Sequence, residues 1–322
     1  MRKALIVGIN NKNNPNVSTL HGCIKDAAQI AEMLEFNESG TRNFDVNLLT
    51  DEKRFITKSA LKSELKELFE NVRRDDIALF YFAGHGYIDS FGGKFVTSDC
   101  ENLDEGVSMD EILALANKSE ASNKIVILDC CHSGKFGNSR ENNDNKICHL
   151  GQNVTILTSC GSSEESHEFR GNGMFTSLLV EALSGGASDL CGDITAGGIY
   201  WFVDKALGAW KGQRPVFKTN VDSHVAIRNV NPPIPFEILR KLTVYFKDPK
   251  CNYPLDSTYE YTETCAIPEH TEIFKNLQKM VSVGLVKPVG EEHMYFAAMN
   301  SKSCKLTTTG ECYWRLVHER RV

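Results

Sequence analysis

The first two thirds of the chain alternate short apolar runs with stretches in which apolar residues recur every three or four positions. The apolar runs predict buried strands at 4–9, 46–49, 77–83, 125–129, 154–158 and 215–217. The periodic stretches predict amphipathic helices at 24–34, 61–72, 174–183 and 199–207. Continuous apolar runs are typical of parallel strands that are buried on both faces. The alternation therefore predicts an α/β sandwich with a mostly parallel central sheet and helices on both faces.

Two polar or stiff segments interrupt this alternation. Ser139–Lys146 (SRENNDNK) is polar and rich in Asn, which predicts an exposed loop. Asn231–Pro235 (NPPIP) is rich in proline, and its stiffness predicts a hinge between two domains. We therefore expect one domain over residues 1–230 and a second over 236–322.

The segment after the hinge has a different pattern. An apolar stripe over 273–281 predicts a helix, 284–286 ends that helix and starts a strand, and 293–299 is strand-like. Thr308 and Glu311 have the spacing of a capping box at the start of a last helix. Helix, short strand, hairpin and helix in this order resemble a winged helix, and they predict a small α+β domain.

Composition and charge exclude several classes of protein. Lys plus Arg total 36 against 42 Asp plus Glu, a formal net charge of −6, which argues against a protein that binds nucleic acid along its whole surface. Residues 236–322 hold 12 Lys or Arg and 11 Asp or Glu, a net of +1, so a protein-interaction module is favoured over a DNA reader. The longest apolar runs are too short to cross a bilayer, and the N-terminal run is too short for a signal peptide. The 11 cysteines include no C-x-x-C pair, and we expect a cytoplasmic protein with mostly reduced thiols.

Polar clusters follow two of the predicted strands. The strand at 77–83 ends in Gly84-His85-Gly86, and the strand at 125–129 ends in Asp129-Cys130-Cys131-His132-Ser133-Gly134. Ligands bind beyond the carboxyl ends of strands in open α/β sheets, so neighbouring strands would bring His85 and a cysteine together. An imidazole can take the proton of a thiol whose pKa is otherwise about 8.5. Backbone N–H groups at Gly86 and at the nucleophile could then bind an oxyanion.

A histidine or a cysteine at the end of a strand, taken alone, would favour a structural role. The two together at the ends of two strands favour catalysis more specifically. The segments FYFAGHG at 80–86 and DCCHSG at 129–134 resemble the two catalytic motifs of the caspase-like clan of cysteine peptidases. The second resembles the D-x-C-H-S-G form of metacaspases and prokaryotic caspase homologues, and it differs from the Q-A-C-x-G form of animal caspases. Further segments of the chain resemble other family motifs: LHGCIKDA at 20–27, GMFT at 173–176 and QRP at 213–215.

The resemblance implies a caspase-like three-layer sandwich over about residues 1–225 and assigns a role to each matching residue. His85 is the general base, Cys131 is the nucleophile, and Cys130 holds the variable position of the motif. Asp26 and Asp129 match acidic residues that line the primary specificity pocket of metacaspases. Two carboxylates in a small pocket favour a cation, so we expect cleavage of protein substrates after Arg or Lys.

The resemblance also divides the first domain. It implies a large-subunit part at about 1–136, a linker at about 137–152 and a small-subunit part at about 153–230. The linker contains Arg140 and Lys146, which are residue types that an acidic pocket would select, so these are possible processing sites. Ala83 stands where some metacaspases carry a Ser, and one hydrogen bond of the pocket is then absent.

The expected function is a regulated cysteine endopeptidase that acts through a Cys-His dyad, in a bacterial signalling, stress or antiphage pathway. We expect no cofactor and no metal, because the spacing of Asp99, Glu101, Asp104 and Glu105 does not match a calcium site. The expected partner is an upstream activator or sensor protein that docks on the C-terminal domain, with no membrane or nucleic acid. The alternatives are an inactive caspase-like scaffold, which the intact His85 and Cys131 argue against, and a DNA-binding regulator that acts through the C-terminal domain.

Overall fold

The computed structural model describes residues 1–52, 54–89, 92–102, 105–130, 149–159, 168–169, 172–208 and 214–322. The chain forms two compact units. The first contains residues 1–188 and 193–230, and the second contains residues 189–192 and 231–322. No helix among the described residues is long and apolar enough to cross a membrane.

The strands of the first unit are short: β1 (Arg2–Gly8), β2 (Asp45–Thr50), β3 (Ile77–Ala83), β4 (Gly86–Asp89), β5 (Gly92–Phe95), β6 (Val107–Ser108), β7 (Asn123–Asp129), β8 (Val154–Thr158), β9 (Glu168–Phe169), β10 (Asn172–Gly173), β11 (Asp193–Thr195), β12 (Val216–Asn220) and β13 (Ala226–Asn229). Its helices carry apolar residues on one face: α1 (Cys23–Glu35), α2 (Lys58–Glu70), α3 (Met109–Lys118), α4 (Met174–Glu181), which continues into a π-helical turn at Ala182–Gly186, and α5 (Ala196–Leu207).

Six strands form the central sheet in the order β12-β8-β7-β3-β1-β2. All neighbours in this sheet are parallel except β12, which pairs antiparallel with β8. Alternate residues of β3 enter two separate cores, because successive side chains of a strand point to opposite faces. Leu79 and Tyr81 pack with α1, α4 and α5, whereas Phe80 and Phe82 pack with α2 and α3. The predicted α/β sandwich with a mostly parallel sheet is confirmed.

Close packing at the end of β1 brings α1 against the sheet. A Cβ atom at Gly8 would lie 2.3 Å from the carbonyl oxygen of Cys23, so only glycine allows this approach. The Asn10 side-chain oxygen accepts a hydrogen bond from the Cys23 backbone N–H at 3.0 Å, which satisfies one donor at the start of the helix. The N-terminus of α1 is therefore fixed at the carboxyl edge of the sheet.

The second unit combines five helices with a small sheet. Its elements are α6 (Phe236–Leu239), α7 (Leu242–Tyr245), β14 (Asn252–Pro254), a 3-10 turn (Ser257–Tyr259), α8 (Pro268–Ser282), β15 (Val286–Val289), α9 (Met294–Met299), β16 (Ser303–Leu306) and α10 (Thr308–His318). The three strands are antiparallel, in the order β14-β16-β15. Phe246, Phe274 and Leu277 belong to a core of this unit's own.

Two local predictions in the second unit are wrong. The strand expected at 293–299 is the helix α9, in which Met294, Ala297 and Ala298 are buried at helical spacing. The expected capping box is also absent, because Thr307 and not Thr308 is the N-cap: its hydroxyl accepts a hydrogen bond from Gly310 N–H at 3.0 Å. The carboxylate of Glu311 contacts the ammonium of Lys250 instead.

Candidate active site

The carboxyl ends of β3 and β7 lie side by side at one edge of the central sheet. The parallel register pairs Ala83 with Asp129, the last residues of the two strands. The Gly84 N–H donates to the Asp129 carbonyl at 3.3 Å and continues the pairing for one step. His85 follows, and its carbonyl accepts a hydrogen bond from Val96 N–H at 3.0 Å. The backbone of His85 is thus fixed between the sheet edge and the strand pair β4–β5.

The imidazole of His85 is oriented by a backbone carbonyl. Its Nε2 atom lies 2.6 Å from the carbonyl oxygen of Ser18, in the segment between β1 and α1. A carbonyl oxygen only accepts hydrogen bonds, so Nε2 carries the proton. In a neutral ring Nδ1 is then the unprotonated nitrogen, as a general base requires. Ser18 was missed by the sequence analysis, since a contact made through a backbone carbonyl leaves no residue-type signature.

The two cysteines of the second motif differ in what the structure describes. Cys130 is 1% exposed and packs in the core that Phe80 and Phe82 share with α2 and α3. Cys131 lies outside the described residues, as do the possible processing sites Arg140 and Lys146. Gly86, the other residue expected to offer an oxyanion N–H, is the first residue of β4.

Asp26 and Asp129 converge on Gly173 from different elements. Asp26 lies in the first turn of α1, Asp129 ends β7, and their exposed fractions are 2% and 7%. The Gly173 N–H donates to Asp26 Oδ2 at 2.9 Å. A Cβ atom at Gly173 would lie 2.4 Å from Asp129 Oδ2 and 3.2 Å from Asp26 Oδ2, so a side chain there would collide with the carboxylate of Asp129. The fold thus brings both predicted pocket residues around one glycine.

Two buried hydroxyl groups, those of Thr176 and Tyr81, form a hydrogen-bonded series that ends on the Asp129 carboxylate. Thr176 Oγ1 donates to Asp129 Oδ2 at 2.7 Å, and Tyr81 Oη lies 2.6 Å from Thr176 Oγ1. Tyr81 and Thr176 are both fully buried. Burial, together with the nearby charges of Asp129 and Asp26, raises the pKa of the Tyr81 phenol well above its usual value. Tyr81 therefore stays protonated and can act as a hydrogen-bond donor.

The acidic residues considered for calcium have local roles where they are described. Asp99 Oδ1 accepts from the backbone N–H of Lys58 at 2.9 Å and from the hydroxyl of Thr97 at 2.7 Å. Glu105 accepts from the backbone N–H of Glu101 at 2.8 Å. Asp104 lies outside the described residues, and the described part of the chain holds no group of three or more His, Cys, Asp or Glu side chains arranged for a metal ion.

The sequence of this chain is similar to a known protein family and to several curated proteins. A family model described as the caspase domain matches residues 1–230. Metacaspase-1 of Candida glabrata is 28% identical over 148 residues, 41% of this chain and 37% of that protein. Metacaspase-1B of Aspergillus oryzae is 34% identical over 89 residues, 26% and 20% of the two chains, and Metacaspase-1 of Plasmodium falciparum is 26% identical over 193 residues, 52% and 31%. The matches span 20–37% of the length of these relatives.

A solved structure shares the fold. The crystal structure of protein GSU0716 from Geobacter sulfurreducens superposes with a TM-score of 0.52 and 19% sequence identity. The match covers 71% of this chain and 96% of that one.

Proposed function

The chain belongs to the caspase domain family through residues 1–230, and from this membership we propose that it is a cysteine endopeptidase that cuts proteins after Arg or Lys. Cys131 is the nucleophile of this reaction and His85 is its general base. The tetrahedral intermediate is held by the N–H groups of Gly86 and Cys131. The enzyme acts as a regulated effector in a bacterial signalling, stress or antiphage pathway.

The observation that carries the specificity is the pair of buried carboxylates beside the predicted base. Asp26 and Asp129 come from α1 and β7, far apart in sequence, and both reach Gly173. Buried charges are costly unless a counter-charge or hydrogen bonds compensate them, so a pocket with two carboxylates favours a cationic side chain over a neutral or acidic one. The guanidinium of Arg can bind a carboxylate through two hydrogen bonds, which favours Arg over Lys.

The orientation of His85 supports the proposed chemistry. The Ser18 carbonyl holds the tautomer that leaves Nδ1 free of a proton. In the reaction, that nitrogen takes the proton of the Cys131 thiol, and the thiolate attacks the scissile carbonyl carbon. The imidazolium then returns the proton to the leaving amine. Water hydrolyses the thioester and releases the second product with a new carboxylate.

The linker between the two parts of the peptidase domain is proposed as a substrate of the enzyme itself. Arg140 and Lys146 are the residues of Ser139–Lys146 that match the proposed specificity. Cleavage after either would free the chain next to Cys131. In the alternative, the loop is never cut and the enzyme is active as a single chain, as some members of this clan are.

One experiment tests both the specificity and the processing. Wild type and Cys131→Ala are each incubated with a denatured protein substrate, and mass spectrometry identifies every new C-terminus. We expect new termini at Arg and Lys in the wild type only, including Arg140 or Lys146 of the enzyme's own chain. New termini spread over Asp and Arg alike would refute the acidic pocket. An intact wild-type chain that already cuts the substrate at full rate would refute the role of the linker.

The second unit is proposed as the docking site for an upstream activator protein that presents an acidic segment. Along the chain, α6 and α7 are followed by β14, α8, β15, α9, β16 and α10, and the strand order is β14-β16-β15. The winged-helix pattern expects a hairpin after α8, and here the helix α9 lies between the paired strands β15 and β16. The register places Lys287 of β15 directly opposite Lys305 of β16, and both side chains are exposed. Within the described chain, neither forms an ion pair within 4 Å. Like charges in this position are destabilising, and an acidic partner would offset the repulsion.

The docking proposal predicts a loss of binding from charge reversal on the sheet. Lys287→Glu with Lys305→Glu should weaken the binding of a fluorescent Glu-rich decapeptide by about tenfold, from two solvated charge pairs of up to about 1 kcal/mol each. Lys275→Glu with Lys279→Glu, on the exposed side of α8, is the matched control and should bind as the wild type does. Tight, salt-sensitive binding of duplex DNA that is lost in this control would instead favour the DNA-binding alternative.

A further inference from the structure

Tyr81, Thr176 and Asp129 form a hydrogen-bonded chain whose direction is fixed by chemistry. An ionised carboxylate only accepts hydrogen bonds, so the single hydroxyl proton of Thr176 goes to Asp129 Oδ2, 2.7 Å away. The Thr176 oxygen must then accept the proton that Tyr81 Oη, 2.6 Å away, presents to it. Each hydroxyl donates toward the carboxylate, and the chain ends on a tyrosine inside the core of the first unit.

The three residues come from three separate elements of the first unit. Tyr81 is in the middle of β3, Asp129 ends β7, and Thr176 lies in the first turn of α4. Gly173, just before α4, donates its N–H to the second carboxylate, Asp26. The start of α4 therefore contacts both acidic residues, one through a backbone donor and one through a hydroxyl.

We propose that Thr176 and Tyr81 are positioning residues for specificity: they hold Asp129 as an oriented anion for the cationic side chain of the substrate. This inference rests on the proposed cleavage after Arg or Lys. Without the hydrogen bond from Thr176, the Asp129 carboxylate would be less well oriented, and the cationic side chain of the substrate would bind it less tightly. Tyr81 acts through Thr176, because its hydroxyl bonds to that residue.

The test measures kcat/KM on a matched pair of peptides that carry Arg or Lys before the cut. Thr176→Val keeps the shape of the side chain and should lower kcat/KM by about tenfold to a hundredfold, the effect of one hydrogen bond to a charged group, mainly through a higher KM. Thr176→Ser keeps the hydroxyl and should restore activity to within about twofold of the wild type. Tyr81→Phe should lower kcat/KM by about threefold to tenfold, since it removes a bond between neutral groups.

The double variant separates this chain from two independent effects. If Tyr81 acts through Thr176, Tyr81→Phe should lower kcat/KM no further in the Thr176→Val background. The melting temperature of the double variant should exceed that of Thr176→Val alone, because the double change removes a buried phenol that had lost its acceptor. Additive losses in kcat/KM would overturn the proposal.

Controls distinguish a pocket effect from general damage. Timed inactivation by iodoacetamide reports the reactivity of the catalytic thiol without filling the pocket, and its rate should be equal in all variants. Thr155→Val, which removes a hydroxyl bonded to Thr219 in the same sheet, and Tyr253→Phe, in the second unit, should match the wild type. Slower inactivation that parallels the loss in kcat/KM, or no rescue by Thr176→Ser, would refute the positioning role. Failure of the wild type itself to cut after Arg or Lys would refute the proposed specificity. If the wild type cuts after Arg and Lys and kcat/KM is unchanged in Thr176→Val and Tyr81→Phe, only the positioning role of the hydrogen-bonded chain is refuted.

Discussion

Cys131→Ala should abolish peptidase activity, with kcat/KM lower by about four orders of magnitude or more, while Cys130→Ala retains most of it. The physical reason is the difference between an attacking thiol and a thiol buried in the core. A nucleophile and its base act as a unit, so removal of either one costs nearly the whole of their joint contribution. Hydrolysis of an Arg peptide by the purified variants is the measurement, and His85→Ala should fall to the same level as Cys131→Ala.

Adjacent cysteines make this comparison necessary. Cys130 is 1% exposed and packs among apolar side chains, so its replacement by Ala should cost stability more than rate. A melting curve of each variant separates the two effects: Cys130→Ala should melt at a lower temperature than the wild type and remain active below its transition. An inactive but folded Cys130→Ala, together with an active Cys131→Ala, would place the nucleophile one residue earlier.

Much of the first unit could be predicted because its strands are buried on both faces. The apolar runs at 77–83 and 154–158 coincide with β3 and β8, and the stripe at 24–34 lies within α1. Such strands admit few polar residues, so the pattern identifies them directly. The acidic pair illustrates the limit of this reasoning. The sequence can nominate Asp26 and Asp129, but their approach to Gly173 depends on how α1, β7 and α4 meet.

Other features could not be predicted, for physical reasons that differ from case to case. The segment at 293–299 is apolar almost throughout, so strand and helix periods fit it equally well, and burial of Met294 and Ala298 in the folded unit decides for α9. The short strands β14 and β16 have little pattern of their own and depend on pairing with each other. The Ser18 carbonyl and the Tyr81–Thr176 contact both arise from tertiary packing.

Asp129→Asn should remove most of the preference for Arg and Lys while the protein stays folded. The change keeps the shape of the side chain and an oxygen that can accept from Thr176, and it removes the charge that faces the substrate cation. A charge pair that is buried and then left with one member unpaired costs about 2–5 kcal/mol, a loss of about 30-fold to several thousand-fold in kcat/KM. Peptides that differ only in the residue before the cut provide the measurement.

The comparison needs a carboxylate outside the pocket and a readout of folding. Asp222→Asn is the matched control, because this exposed residue contacts Gln152 at the surface and should leave every peptide unaffected. Asp26→Asn should weaken cleavage after Arg and Lys as well, since both carboxylates reach Gly173. For peptides with a neutral residue before the cut, kcat/KM should change little in Asp129→Asn, because no cation is then left without its partner. If Asp129→Asn melts as the wild type does and still cuts after Arg at the wild-type rate, the cation is recognised elsewhere and the acidic pocket has another role.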